Sequence, residues 1–338
     1  MQKIPVGIVG VSGYTGLELL KILLSHPVFE IAYLANQEGT EDVSHIHPSL
    51  VNVCHQPVHK ADPKVAKQCC KLIFLALPHQ KAMEFAKEAL ELGLQVVDLS
   101  ADYRLSQESY ERFYTRHIDV ENLQHAIYGL VEWQRGLIKK ARIVANPGCY
   151  PTASLLGLLP FTPYIDSQIS VFIDAKSGVS GAGKTLSENT HYTTINENMF
   201  AYSPMKHRHS GEIIEKLNRF GRCDLKVQFV PHLTPLTRGM LVSAFVHLKS
   251  ANIDTLAILK DCYKGERSIR IATEPVRIKD VVGTHFCNIY IQQDGKDLWI
   301  NVAIDNLLRG ASSQAIVNAN LMCGIEELTA IPMFAYVP

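Results

Sequence analysis

The sequence has no net charge, no long hydrophobic run and no C-x-x-C cysteine pair. Its 33 basic residues balance its 33 acidic residues, which argues against a protein held on nucleic acid or on an anionic membrane by bulk charge. No apolar stretch reaches the length of a membrane span, and the first residues lead into a strand pattern without a separate signal region. We therefore expect a soluble, cytoplasmic protein that acts on a small molecule.

The eight cysteines are scattered irregularly along the chain. Their spacing predicts neither a disulfide framework nor a cysteine zinc site, so we expect reduced thiols and no bound metal. A chain of 338 residues is long enough for two domains with sizeable cores.

Strand and helix patterns alternate in the first half of the chain. Apolar strand patterns occupy residues 6–9, 30–36, 72–78 and 95–100, with helical patterns between them. Strands that alternate with helices are joined by crossovers and form a parallel sheet. We therefore predict a doubly wound α/β domain of the Rossmann type over residues 1–148.

Longer stretches of alternating apolar and polar residues follow over residues 149–310. Together with helical patterns at 211–220 and 253–265, they predict an α+β domain. Its mixed or antiparallel sheet would be covered by helices on one face. A last helical pattern, 311–330, is apolar enough to be buried and is predicted to pack back on the first domain.

Three glycines at three-residue spacing, Gly10, Gly13 and Gly16, lie between the first strand and its helix. Glycines there permit a tight turn and let a pyrophosphate approach the backbone N–H groups of the helix N-terminus. The spacing differs from the commoner G-x-G-x-x-G, so a packing turn is the alternative. The second strand ends at Asn36 and Gln37, where NAD-preferring sites place an acidic residue, and this leaves room for a 2′-phosphate.

One cysteine stands apart from the others because of its position. Cys149 follows the turn Asn146–Pro147–Gly148 and precedes an apolar helical pattern. A thiol at a helix N-terminus faces unpaired backbone N–H groups and the positive end of the helix dipole, and both favour the thiolate. Cys149 is therefore a candidate nucleophile, with a buried inert thiol as the alternative.

A second group of reactive side chains, His207, Arg208, His209 and Glu212, lies at the start of a predicted helix. An imidazole exchanges protons near neutral pH, a carboxylate three residues later can orient it, and an arginine can bind a carboxylate or a phosphate. Metal ligation and an ordinary solvated helix start are the alternatives. The Gly- and Ser-rich loop 176–184 offers backbone N–H groups to an anion.

Nine segments match one family in its order along the chain. They are GVSGYTGLEL, LALPH, VVDLSADYRL, YGLVEW, ANPGCYPTA, SGVSGAGK, HRHSGEI, FVPHLTPLTRG and DNLLRGASSQAIVNANLM. Through them nearly the whole chain resembles the N-acetyl-γ-glutamyl-phosphate reductases of arginine biosynthesis, which are related to aspartate-semialdehyde dehydrogenase. The resemblance implies an NADPH-dependent homo-oligomer, a dimer or a tetramer, whose second domain serves catalysis and dimerisation.

The resemblance also implies roles for individual residues. Cys149 would attack the acyl phosphate and form a thioester, His209 would act as acid and base, and Glu212 would orient His209. Hydride from NADPH would then give the semialdehyde. The implied substrate-binding residues are Arg104, Arg208, Arg238, Asn146 and Ser180. The implied cofactor-binding residues are Gly10, Ser12, Gly13, Tyr14, Thr15, Gly16, Asn36, Pro78, Gly181 and Asn306.

Two segments depart from the family. ANQEGTEDVSHIHP, after the second strand, lacks the family's Ser/Arg-rich pattern, and the next basic residue is Lys60. We therefore expect a preference for NADP(H) of modest size. Ser312 and Ser313 replace the central pair of the family's G-A-A-G-Q-A. The alternatives at this point are a reductase of aspartyl phosphate or of carrier-bound aminoadipyl phosphate, an NADP-binding regulator without turnover, and a cysteine hydrolase.

Overall fold

The chain folds into two compact units. A computed structural model describes residues 3–336, so the first two residues of the predicted first domain lie outside the described residues. The first unit extends to Gly148 and includes Ala311–Pro332, whereas the second comprises Cys149–Gly310 and a segment that starts at Met333. None of the helices within residues 3–336 combines the length and the hydrophobicity that a membrane span requires.

The first unit is built on a parallel sheet of seven strands. Its elements are β1 (Ile4–Val9), α1 (Tyr14–Leu24), β2 (Phe29–Asn36), β3 (His59–Lys60), α2 (Pro63–Cys69), β4 (Leu72–Leu75), α3 (Lys81–Glu91), β5 (Gln95–Asp98), α4 (Gln107–Phe113), α5 (Val120–His125), β6 (Ile127–Tyr128), α6 (Val131–Ile138) and β7 (Ile143–Ala145). The strand order is β3-β2-β1-β4-β5-β7-β6, and these pairings are parallel. The order reverses between β1 and β4, and open α/β sheets bind ligands at such a point.

The sequence of the first sheet explains why it is buried on both faces. All four residues of β4 are apolar and buried, as expected for a central parallel strand covered by helices. Ile73 and Leu75 of β4 pack with Ala86 and Leu90 of α3 in one core cluster. This core holds the carboxyl ends of the strands, and the loops that follow them, in place.

The second unit contains a mixed sheet of seven strands. Its elements are α7 (Cys149–Leu158), β8 (Val171–Gly178), α8 (Tyr192–Ile195), β9 (Phe200–Ala201), α9 (His209–Gly221), β10 (Val227–Thr234), β11 (Met240–His247), α10 (Thr255–Cys262), β12 (Ile269–Ile271), β13 (Cys287–Asp294) and β14 (Asp297–Ile304). The order is β12-β13-β14-β11-β8-β10-β9, with parallel pairs β8–β10 and β12–β13. Helix α7 packs on β11 and β14, and α9 packs on β10. The predicted fold class is confirmed for both units.

The last helix, α11 (Ser312–Met322), belongs to the first unit and contacts α1 and α6. It is shorter than the helix predicted over 311–330. Gly324 has φ +70°, and a residue in this left-handed conformation commonly ends a helix. The predicted length was wrong because Ile325 and Leu328 are half-buried outside any helix and continue the apolar pattern without continuing the helix.

Candidate active site

The glycine-rich loop joins β1 to α1 in the first unit. Gly10 has φ +94°, and a Cβ there would lie 2.3 Å from the carbonyl oxygen of Ala76. A Cβ on Gly16 would lie 2.4 Å from the carbonyl oxygen of Gly10. Around Gly13, the N-cap of α1, the nearest atom to such a Cβ is 3.8 Å away. The turn itself therefore requires Gly10 and Gly16, whereas a Cβ on Gly13 would make only an ordinary van der Waals contact. Gly13 lies at the helix N-terminus, where a pyrophosphate binds in folds of this type.

Asn36 ends β2 beside this loop. Its amide nitrogen donates to Ser12 Oγ over 3.0 Å, and its Oδ1 accepts from the backbone N–H groups of Glu38 and Gly39. In the parallel pairing of β2 with β3, the partner of Asn36 is Lys60. Lys60 is exposed. It stands 24 positions after Asn36 in the chain, so the sequence did not indicate that the two residues are neighbours. The end of β2 therefore has a cation on the neighbouring strand and an amide at its last residue, and the nearest acidic residue along the chain is Glu38.

Three further predicted cofactor positions lie at the same edge of the sheet. Tyr14 and Thr15 form the first turn of α1, where the Thr15 carbonyl accepts from Ser312 Oγ over 2.9 Å. Pro78 follows β4 and is exposed. Sequence analysis missed His47, whose Nε2 lies 2.8 Å from the carbonyl oxygen of Val11 in the glycine-rich loop. His47 is buried and supports the loop, but no sequence pattern indicated that contact.

Arg104 and Asn146 are buried in the first unit and hold its main chain. Arg104 Nε donates to the carbonyl oxygen of Asn146, and a terminal nitrogen donates to that of Leu99, both over 2.7 Å. The Asn146 side chain donates to the carbonyl oxygen of Ala311 and accepts from Asn318. These contacts fix the turn that leads, three residues later, to the candidate nucleophile.

Cys149 is the first residue of α7 and is half-buried. Gly310 lies directly against it, since a Cβ on Gly310 would be 2.6 Å from the Cβ of Cys149. The same Cβ would be 2.6 Å from the carbonyl oxygen of Asn306. Only glycine therefore fits at position 310, and the turn 305–310 is a rigid support beside the thiol.

Tyr150 organises the two histidines of the second unit. Its buried hydroxyl donates to the carbonyl oxygen of His232 over 3.2 Å and accepts from the Tyr202 hydroxyl over 3.1 Å. The rings of His207 and His209 have centroids 5.7 and 5.9 Å from that of Tyr150. Because Tyr150 follows Cys149 in the chain, both imidazoles gather around the residue next to the candidate nucleophile.

The two imidazoles differ in environment. His207 Nδ1 accepts a hydrogen bond from the backbone N–H of His209 over 3.1 Å. Burial, reinforced by the positive charge of Arg208, lowers the pKa of His207 to about 4. An imidazole with that pKa is neutral near pH 7 and is a poor proton donor there. His209 is the first residue of α9 and remains the better candidate for proton transfer.

Helix α9 places further charges in line with His209. Glu212, one turn later, and Lys216, one turn beyond that, are both buried. Burial lowers the pKa of Lys216, opposed by the negative charges of Glu215 and Glu212. Residues three and four apart share one helix face. Sequence analysis missed Lys216, although its i+7 spacing from His209 is a signal that could have indicated it.

The predicted residues Ser180, Gly181 and Asn306 come together in the second unit. Asn306 Nδ2 donates to Ser180 Oγ over 3.0 Å. A Cβ on Gly181 would lie 2.6 Å from Ser177 Oγ and 3.7 Å from Asn306 Nδ2. The N–H groups of Val179 and Ser180 donate to main-chain carbonyls, so those two groups are not available to an anion in loop 176–184.

The two predicted arginines of the second unit differ in what they contact. Arg208 is exposed at the N-cap of α9, next to His209. Arg238 is paired with the fully buried carboxylate of Asp305, with Nε 3.0 Å from Oδ2. Within residues 3–336, no group of three or more His, Cys, Asp or Glu side chains is arranged to hold a metal ion.

Family models match most of the chain. Residues 5–141 match the NAD binding domain of semialdehyde dehydrogenase, and residues 149–306 match its dimerisation domain. The chain is 64% identical over 338 residues to a protein of Wolinella succinogenes named N-acetyl-γ-glutamyl-phosphate reductase, with all of both chains covered. Proteins of the same name from Campylobacter curvus and Aquifex aeolicus are 56% and 39% identical, with at least 98% of each chain covered.

Solved structures show the same fold at low identity. Aspartate semialdehyde dehydrogenase II of Vibrio cholerae aligns with a TM-score of 0.73 and 17% identity over 96% of this chain and 99% of its own. The Candida albicans aspartate semialdehyde dehydrogenase, solved with NADP, aligns with a TM-score of 0.68 and 16% identity over 95% of this chain and 99% of its own. The resemblance expected from the nine sequence segments is confirmed by the relatives of high identity.

Proposed function

Because the chain belongs to the N-acetyl-γ-glutamyl-phosphate reductase family, we propose that it reduces N-acetyl-γ-glutamyl phosphate. The products are N-acetylglutamate 5-semialdehyde and phosphate, and the reductant is a nicotinamide dinucleotide, a step of arginine biosynthesis. The observation that supports this chemistry most directly is the placement of Cys149 at the start of α7 with His209 near the adjacent Tyr150.

The first half of the reaction is acyl transfer to the thiol. The Cys149 thiolate attacks the acyl carbon, a C–S bond forms, and the C–O bond to phosphate breaks, so that phosphate leaves with the electron pair. The backbone N–H groups at the start of α7 are the donors nearest the nucleophile in sequence and stabilise the oxyanion of the tetrahedral intermediate. The product of this half is a thioester on Cys149.

The second half of the reaction is reduction and release. A reduced nicotinamide, when bound, supplies a hydride to the thioester carbon. As the carbonyl forms again, the C–S bond breaks and the electron pair returns to the Cys149 sulfur. His209 donates a proton to the sulfur in this step and takes it back when the next thiolate forms, while Glu212, one turn along α9, orients His209. His207 stays neutral and supports His209 through the hydrogen bond to its backbone N–H.

The substrate has two anionic ends that need donors. Arg208 is the exposed arginine next to His209 and is the residue that we assign to one of them. Ser180 offers a hydroxyl in the second unit, beside Asn306. Arg104 donates to main-chain carbonyls, and the Asn146 side chain contacts the Ala311 carbonyl and the Asn318 side chain. We therefore assign both residues to the shape of the turn before Cys149.

For the cofactor we propose NADP(H) in preference to NAD(H). Gly13, the N-cap of α1, places no side chain where a pyrophosphate would approach the helix N-terminus. Asn36 and Ser12 offer neutral donors, and Lys60 adds a positive charge on the neighbouring strand. A carboxylate at the end of β2 would repel a 2′-phosphate, and Asn36 does not. The preference is about five- to hundredfold in catalytic efficiency, or about 1–3 kcal/mol.

For the assembly we propose a homo-oligomer, a dimer or a tetramer, formed through the sheet of the second unit. Phe245 of β11 is flanked in register by Phe172 of β8 and Trp299 of β14. Phe172 and Phe245 are exposed, and this row lies opposite the buried side chains that α7 covers. An aromatic row of this kind fits a second copy of the chain. Phe245→Glu is expected to dissociate the oligomer in light-scattering measurements, whereas a monomeric wild type would contradict the proposal.

The reverse reaction tests the function. We expect N-acetylglutamate semialdehyde and phosphate together to reduce NADP, with no reduction when phosphate is omitted. Aspartate semialdehyde should be at least about a hundredfold poorer in catalytic efficiency, because the site must accept the longer acetylated chain. An equal or better rate with aspartate semialdehyde would favour the related reductase, and dinucleotide binding without turnover would favour a regulator.

A further inference from the structure

We propose that Arg238 is a positioning residue of this reaction. It holds the turn 305–310 through Asp305, and that turn supports Cys149, while Tyr336 covers the ion pair. The inference rests on the proposed function, because it assigns Arg238 to the geometry of the nucleophile. It differs from the sequence expectation, in which Arg238 binds the substrate directly.

The contact between Arg238 and Asp305 is bidentate. Arg238 Nε lies 3.0 Å from Asp305 Oδ2, and a terminal nitrogen donates to Oδ1 over 3.1 Å. The Asp305 side chain is fully buried, and that of Arg238 is 15% exposed. A buried carboxylate without its cation is strongly unfavourable, so each partner requires the other. Asp305 therefore occupies the edge of the guanidinium formed by Nε and one terminal nitrogen.

Asp305 transmits this contact to the main chain. Its Oδ1 accepts from the backbone N–H groups of Leu307 and Leu308, and its Oδ2 accepts from that of Gly283 over 2.7 Å. Its own carbonyl oxygen accepts from the N–H of Gly310 over 2.9 Å. The carboxylate and the main-chain carbonyl of Asp305 therefore hold the beginning and the end of the turn 305–310.

The turn is fixed at two further side chains. Asn306 Oδ1 accepts from the backbone N–H of Gly239, the residue after Arg238, over 2.6 Å. Arg309 is buried, with one terminal nitrogen 2.6 Å from His285 Nε2. The pKa of His285 is held well below its usual value by burial and by the charge of Arg309, so His285 accepts as a neutral ring.

The end of the turn meets the nucleophile. Gly310 approaches the Cβ of Cys149 so closely that no side chain fits between them. A shift of the turn must therefore move the thiol or open a gap beside it. A displacement of about 1 Å at a reacting group costs as much as a hundredfold in rate.

The segment that starts at Met333 covers the ion pair within the same unit. The Tyr336 backbone N–H donates to the carbonyl oxygen of Val282 over 2.9 Å. Its ring centroid lies 6.0 Å from the guanidinium carbon of Arg238, and a Cβ on Gly283 would come within 2.7 Å of that ring. Tyr336 thus covers Gly283, whose N–H donates to Asp305, and Arg238, the cation that pairs with Asp305. It limits the hydration of both groups.

The test compares Arg238→Met and Arg238→Lys with Arg135→Met. In the first unit, Arg135 makes a similar bidentate contact with Glu327. Its Nε donates to Oε2 over 2.8 Å, and a terminal nitrogen donates to Oε1 over 3.3 Å. Reverse-direction kinetics give kcat and the KM values for semialdehyde and phosphate. Iodoacetamide labelling of Cys149, followed by peptide mass spectrometry, gives the reactivity of the thiol without turnover, and thermal melts report stability.

Arg238→Met is expected to lower kcat about ten- to hundredfold while both KM values stay within about threefold, and to change the labelling rate at least about threefold. Arg238→Lys should differ less from the wild type than Arg238→Met does, both in kcat and in labelling rate, because an ammonium can reach one carboxylate oxygen. Arg135→Met should lower the melting temperature but leave kcat and labelling within about twofold. Tyr336→Ala is expected to change labelling in the same direction as Arg238→Met but less, and it provides the measurement if Arg238→Met does not fold.

Two results would overturn the proposal. A rise of tenfold or more in the KM for phosphate or semialdehyde, with kcat and labelling retained, would show that Arg238 contacts the substrate. Unchanged kinetics and labelling in both Arg238→Lys and Tyr336→Ala would also overturn it. A wild type without phosphate-dependent reduction of NADP would reject the proposed function instead, while the labelling rates would still report whether Arg238 positions Cys149.

Discussion

The candidate dinucleotide site of the first unit and the candidate catalytic site of the second unit are built from different groups of atoms. In the first unit the site is mainly backbone, because Gly10 and Gly16 bring main-chain atoms so close that any Cβ would meet a carbonyl oxygen within 2.4 Å. In the second unit the site is mainly side chain, with His207 and His209 packed against the ring of Tyr150, the residue after Cys149.

This difference determines how each site responds to substitution. A backbone site fails when an atom is added, because the turn has no room for it. A side-chain site fails when a particular functional group is lost, while the surrounding fold persists. Four substitutions or pairs of substitutions test whether the two sites are as separable as this comparison implies.

The largest effect is expected at the nucleophile. Cys149→Ser should lower turnover at least about a thousandfold, because a serine hydroxyl near pH 7 is a far weaker nucleophile than a thiolate. The melting temperature and the affinity for NADP should stay close to the wild-type values. Reverse-direction kinetics and fluorescence titration of the dinucleotide measure both. Substantial residual turnover would exclude the covalent mechanism, and lost dinucleotide affinity would show that the two sites are not separable.

The second expected effect separates the two histidines. His209→Asn should lower kcat about a hundredfold, the usual scale of general acid–base catalysis. His207→Asn should lower kcat less than about tenfold. The His207 ring is already neutral near pH 7, so the variant loses no proton donor and only replaces the acceptor for the His209 backbone N–H. Asn retains a side-chain oxygen that can accept from the His209 backbone N–H. If His207→Asn is the more damaging variant, the assignment of the acid–base role to His209 is wrong.

The same contrast explains what sequence could and could not predict. The glycine spacing and the turn before Cys149 are local, so their positions follow from consecutive residues. Lys60 lies beside Asn36 only because β3 pairs with β2, and the Arg238–Asp305 pair joins residues 67 positions apart. Sequence predicted a role for Arg238 from its residue type, but its partner is set by the sheet and turn that follow it.

The third prediction compares two glycines of one loop. Gly10→Ala adds a methyl against the Ala76 carbonyl and strains a positive φ, so it should lower the melting temperature as well as dinucleotide affinity. Gly13→Ala adds a methyl that makes only an ordinary van der Waals contact, 3.8 Å from the Gly10 carbonyl oxygen, so stability should be retained. Affinity for NADP should fall about tenfold, because the pyrophosphate must approach the helix N-terminus at this residue. Calorimetric titration and thermal melts measure the two quantities. Unchanged affinity in Gly13→Ala would place the pyrophosphate elsewhere.

The smallest effect concerns the pH dependence of stability. The pKa of His207 is lowered to about 4 in the folded protein, whereas an unfolded histidine titrates near 6.5. Between these values the unfolded state binds more protons, so His207 makes stability fall as the pH drops from about 6.5 to about 4, and it has no such effect above pH 7. The pKa values of His26, His117 and His285 are also lowered by burial. These residues are present both in the wild type and in His207→Asn, so their effects cancel when the two proteins are compared.

Between pH 6.5 and pH 4, the melting temperature of His207→Asn should therefore fall by about 5 °C less than that of the wild type. If the melting temperatures of the wild type and of His207→Asn fall by the same amount from pH 7 to pH 4, His207 is not held neutral. Its distinction from His209 would then rest on kinetics alone.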